Sequence, residues 1–112
     1  MKQTNIPLPV EEAASAFAAL GSEQRLHVLT TLVRAGPEGL TIGALGERSG
    51  VRGSTLTHHL KILAQAGLIC QSRQGRSIVC VGASYADVRR LSDYLVSQCC
   101  ADAAEKEAHA HD

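Results

Sequence analysis

Residues 40–69 constrain the fold most. Behind Thr41, a residue suited to cap a helix, Ile42 and Leu45 mark a short helical run that closes at Ser49 and Gly50 before Val51. A longer helical pattern then starts at Gly53 or Ser54 and runs to Ala66, with Leu56, Leu60, Leu63 and Ala64 as its apolar stripe and Gly67 at its end. A short helix, a tight glycine turn and a longer helix make the spacing of a helix-turn-helix.

The rest of the chain builds around that unit. Residues 1–9, with Pro7 and Pro9, read as an N-terminal arm. Residues 10–20 form a helix with Ala13, Phe17 and Leu20 on one face, and Gly21 ends it. Ser22 caps a second helix whose Leu26, Leu29, Leu32 and Val33 recur at three and four residues until Gly36 and Pro37. After Gly67 the period shortens. Residues 68–72 and 77–81 read as the two strands of an antiparallel hairpin, with Gly75 taking a positive φ in the tip. A last helix begins near Ser84 and carries Val88, Leu91, Leu95 and Cys99 as a stripe, leaving 101–112 as a flexible C-terminal tail. The expectation is a mainly α protein with a small β-hairpin (α+β), a winged helix-turn-helix of four helices, two strands and a fifth helix, with one DNA-binding and dimerisation domain over 10–100.

Charge is distributed unevenly although the net is zero. Residues 1–47 set Lys2, Arg25 and Arg34 against five glutamates, a net of −2, and residues 87–112 sum to −3. Between them, residues 48–86 hold Arg48, Arg52, Lys61, Arg73 and Arg76 with no Asp or Glu, a net of +5. A purely basic middle third suits a polyanion. Only Phe17, Tyr85 and Tyr94 are aromatic, too few rings to stack single-stranded nucleic acid, so duplex DNA is the expected partner. No apolar run approaches the roughly 18 residues that cross a bilayer, and the chain reads as an intact cytoplasmic protein with no membrane partner. No Ser/His/Asp order, carboxylate pair or phosphate-binding glycine loop points to an enzyme.

On the longer helix, Ser54, Thr55, Thr57 and His58 are short or basic groups off the apolar stripe, placed to meet bases or phosphates in the major groove, with Arg52 just ahead in the turn. Lys61, Arg73 and Arg76 are placed to hold the phosphate backbone. His59, beside Leu60, reads as a packing residue. Five basic groups per copy bind weakly on their own, and a two-fold homodimer reading half-sites roughly 34 Å apart is the usual remedy. The first and last helices carry more apolar surface than a small helix-turn-helix core absorbs, which makes them the expected dimer interface.

Residues 13–100 resemble the ArsR/SmtB family of winged-helix metalloregulatory repressors through ALGSEQRLHVLTTL, LTIGALGERSGVRGSTLTHHLKILAQAGLI and the RQGRS hairpin tip. The string STLTHHLKIL followed by AGLI is the most specific part. The resemblance implies a homodimer that holds double-stranded operator DNA and releases it when a metal or metalloid binds. Two of the family's inducer sites are missing: the Cys-x-Cys position falls on Thr41, Ile42 and Gly43, and neither Asp87 nor Asp93 has a histidine two residues on. What remains is Cys99-Cys100, similar to the adjacent pair of arsenic-responsive members, without the third cysteine that often follows.

Trivalent arsenic is thiophilic, and two neighbouring thiolates can chelate it. Adjacent helical residues point about 100° apart, so chelation by a pair on the last helix should distort its final turn. With two thiols, a monosubstituted arsenical such as methylarsenite is expected to induce at least as well as arsenite. The alternative is a repressor that senses thiol oxidation or another soft metal (Hg, Sb, Cd) through the same pair. Four cysteines in a chain without a signal peptide are expected to be reduced thiols or ligands rather than a disulfide framework. Cys70 and Cys80 read as small buried strand residues, and His109 and His111 as part of the tail.

Overall fold

The structure, a computed structural model, describes residues 7–103. Part of the expected arm (1–6) and the end of the expected tail (104–112), His109 and His111 included, lie outside the described residues. Five helices and three strands follow one another as α1 Val10–Ala19, α2 Glu23–Ala35, β1 Leu40–Thr41, α3 Ile42–Ser49, α4 Gly53–Gln65, β2 Ile69–Gln74, β3 Ser77–Gly82 and α5 Tyr85–Val96. This is the expected winged helix-turn-helix, with one strand more than the hairpin alone.

Local chemistry sets most boundaries. Ser22 Oγ accepts the Arg25 N–H at 3.2 Å and opens α2, Thr41 Oγ1 accepts the Ala44 N–H at 3.1 Å and opens α3, and Ser84 with Asp87 forms a reciprocal capping box on α5. The turn between α3 and α4 is held by Gly50 in the left-handed region (φ 77) and by Ser49 Oγ, which accepts the Val51 N–H at 3.1 Å. At the wing tip Gln74 pairs with Ser77, so Gly75 and Arg76 are a two-residue loop with positive φ only at its first residue, the pattern of a type II′ turn.

Leu32 of α2, Leu45 of α3 and Leu63 of α4 are wholly buried and meet in one core with Val28, Leu56, Leu60 and Cys80. Full burial of each leucine contributes about 1.5–3 kcal/mol, which makes these helices one unit. The sheet order is β1-β3-β2, all antiparallel, with Leu40 opposite Cys80 and Thr41 opposite Val79.

Several expectations are corrected. Phe17 is 37% exposed, and α1 buries Ala13, Ala16 and Ala19 instead, because small side chains let that helix approach its neighbours closely. Leu26 and Val33 of α2 are exposed while Val28 is buried, and Ala64 of α4 is exposed. Cys70 is exposed rather than buried: it pairs with Val81, one register step from the Gln71–Cys80 pair, and a one-residue offset puts the two thiols on opposite faces of the sheet. Cys99 is not on the last helix. Helix α5 ends at Val96, and both Cys99 and Cys100 follow in turns.

Candidate nucleic-acid interface and dithiol pair

Helix α4 is two-faced. Leu56, Leu60 and Leu63 turn inward, and Arg52, Ser54, Thr55, Thr57, His58 and Lys61 are all exposed. Ser54, Thr57, His58 and Lys61 recur at three and four residues and so share one outer strip of the helix. Thr57 Oγ1 also donates to the Gly53 carbonyl at 3.3 Å, leaving its lone pairs outward. No acidic side chain stands in the first turn, so the positive end of the helix is uncompensated at the place where an anion would approach.

The wing carries the other two expected contacts. Arg73 lies on β2 and Arg76 in the tip, both exposed, and β2 packs against α4. Arg48, in the last turn of α3, adds an exposed cation beside the turn that the sequence reading counted in the basic block but did not single out. Sequence reasoning also missed Gln24 and Arg25, which hold the inner side of α4 through His59 across more than thirty residues of chain. Only the pairing of HHL with an amphipathic helix hinted that one of the two histidines turns inward.

At the far end of the chain, Cys99 and Cys100 are exposed, with their sulfurs 3.7 Å apart. Cys100 has φ 61, the one positive φ among the described non-glycine residues. The helix-distortion expectation therefore does not hold: the chain has already left the helix and turned so that two neighbouring sulfurs converge. Among the described residues no group of three or more His, Cys, Asp or Glu side chains is arranged to hold a metal ion. Cys80 is the opposite case. Burial pushes its thiol up, only partly offset by the Gln71 side chain at 3.6 Å, which keeps it protonated and unreactive.

Residues 20–70 match the family described as a helix-turn-helix domain. The chain is 41% identical over 68 residues to the HTH-type transcriptional regulator NmtR of Mycobacterium tuberculosis, covering 61% of this chain and 54% of that protein. It is 32% identical over 84 residues to the nodulation protein NolR of Rhizobium meliloti, covering 70% of this chain and 66% of that one. It thus spans between half and two thirds of these curated relatives. Among solved structures, an ArsR-like transcriptional regulator from Rhodococcus sp. RHA1 superposes with a TM-score of 0.69 at 26% identity, over 90% of this chain and 91% of that one. These similar proteins are regulators of transcription rather than enzymes.

Proposed function

We propose that this chain, which has the fold and the sequence kinship of the ArsR-family winged-helix transcriptional regulators, is a homodimeric repressor that binds double-stranded operator DNA and releases it when trivalent arsenic is captured by Cys99 and Cys100. The observation that carries the DNA reading is the carboxylate-free outer strip of α4, exposed along its length and flanked by Arg52 before it and Arg73 and Arg76 on the wing. Ser54, Thr55, Thr57 and His58 face base edges and nearby phosphates, and the cations hold the backbone.

Dimerisation is supported by apolar surface that one copy leaves uncovered. Helix α5 buries none of its residues, and Val88, Leu95 and Val96 on it are exposed together with Val10 and Phe17 on α1. A second copy is the natural cover, and pairing brings two α4 helices to successive turns of a duplex.

The inducer reading rests on the converging sulfurs. A monosubstituted trivalent arsenical, RAs(OH)2, needs two of them: two As–S bonds form, two As–O bonds break, each thiol proton leaves with a hydroxide, and two waters depart. Arsenite fits the same pair with one oxygen retained. The 3.7 Å separation is also what an oxidant, Hg(II), Sb(III) or Cd(II) would meet, and intact mass after each exposure distinguishes these from arsenic capture.

The DNA reading is tested by fluorescence anisotropy with a duplex from the chain's own upstream region across a salt series. Arg73→Ala with Arg76→Ala is expected to reduce the log–log salt slope by about 1.8, from about 0.9 per lost phosphate contact, and to weaken all sequences alike. An unchanged slope removes the wing from the interface, and no duplex binding by the unmodified protein at low salt overturns the reading.

A further inference from the structure

We propose that His59 is a positioning residue of α4: in its neutral form it latches the DNA-facing helix to α2, and taking up a proton opens the latch and weakens the grip on the duplex. The inference rests on the DNA reading above and adds a control that acts from the helix's inner side.

The ring is 7% exposed, on the side of α4 that faces the protein. Its Nε2 lies 3.0 Å from Oε1 of Gln24 and its Nδ1 lies 3.4 Å from Nη1 of Arg25. One neutral tautomer serves both partners: Nε2–H donates to the Gln24 carbonyl oxygen, and the Nδ1 lone pair accepts from the guanidinium. Arg25 is itself fixed, since its Nε donates to the Ala19 carbonyl at 2.6 Å and its backbone N–H is bound by Ser22. One imidazole thus ties α4 to the first turn of α2 and, through Arg25, to the end of α1.

A proton on Nδ1 reverses this. The acceptor becomes a donor aimed at a donor, and two cations meet in a place with little water. The charged or titratable groups bearing on the ring are Arg25 from α2 and His58 from α4 itself; α1 contributes only the Ala19 carbonyl, through Arg25. Burial, then Arg25, then His58 all hold the ring below the ordinary histidine range. A base depressed in the folded state stabilises it fully above its unfolded value, and that contribution is lost as pH falls through the folded one. Acid also charges His58 on the outer strip, which draws phosphate closer, so simple charge gain predicts tighter binding at low pH while the latch predicts a loss.

The test compares the unmodified protein with His59→Gln and His59→Phe by anisotropy on the upstream duplex at about pH 7.5 and about pH 5.5. Deuterium exchange of α4 amides, corrected for intrinsic pH dependence, is followed in parallel without DNA. Glutamine can accept from Arg25 and donate to Gln24 without a proton to gain. His59→Gln is expected to match the unmodified protein at the higher pH and to bind about fivefold tighter at the lower one, with α4 protection retained. His59→Phe, which keeps the ring and loses both bonds, is expected to bind about fivefold more weakly at the higher pH and to exchange faster in α4. Equal acid responses for His59→Gln and the unmodified protein overturn the latch, as does unchanged α4 protection in His59→Phe. If the unmodified protein binds no duplex, the DNA reading fails, and the exchange arm alone decides whether the latch exists.

Discussion

Gly39→Ala is expected to lower folding stability by roughly 3 to 5 kcal/mol, the largest effect of any single methyl added to this chain. Gly39 has φ 74, and a Cβ there would stand 2.3 Å from the Cys80 carbonyl oxygen and 2.8 Å from Cγ2 of Val81. Neither neighbour is free to yield, because Cys80 is wholly buried and its backbone is paired with Leu40. Gly50→Ala is the matched control: φ is 77, but nothing lies within 4 Å of the added methyl. That variant is expected to lose only the left-handed strain of about 1–2 kcal/mol. In thermal unfolding at fixed protein concentration, Gly39→Ala should melt on the order of 20 °C lower than the parent. Equal losses for the two variants would mean that β1 does not press against β3 as described.

The second large effect concerns release. A Cys99→Ser, Cys100→Ser protein should bind the upstream duplex like the parent, yet stay bound when phenylarsenite or methylarsenite is added, whereas the parent should lose about 5- to 150-fold in affinity. Cys80 cannot substitute, being buried with its thiol held protonated, and Cys70 stands alone on the other face of the sheet. Capture expels two thiol protons, so the parent's response should weaken as pH falls. Titration with arsenite beside the organic arsenicals checks the two-sulfur geometry: a clear preference for arsenite counts against it. Release of the double-serine protein would move the sensor elsewhere in the chain.

Features governed by neighbours in sequence were legible without coordinates. Ser22, Thr41 and Ser84 cap the helices they precede, and Gly50 and Gly75 take the left-handed turns their places demand. The outer strip of α4 followed from periodicity alone, which assigns Ser54, Thr57, His58 and Lys61 to one side once Leu56, Leu60 and Leu63 take the other. Distant pairings were not legible. Strand β1 has two residues and exists because Leu40 and Thr41 meet β3, and the His59–Gln24–Arg25 tie joins positions that no periodic pattern connects. The early end of α5 lies between these cases: Val96, Ser97, Cys99 and Cys100 are weak helix formers, and nothing packs against that stretch to hold it wound. The stripe through Cys99 was extended past the point where burial could support it.

Strand β1 runs without a break into α3, while its partner β3 continues through the hairpin to the wing tip. Groove reader and phosphate clamp are therefore two prongs of one stiff fork, and neither can be re-aimed without breaking the short ladder between them. An operator whose half-site is the wrong size for the fork cannot be met by bending it. Whatever distinguishes the gripping state from the released one must then lie in how two such forks are set against each other, as with callipers whose points are hard and whose pivot alone yields.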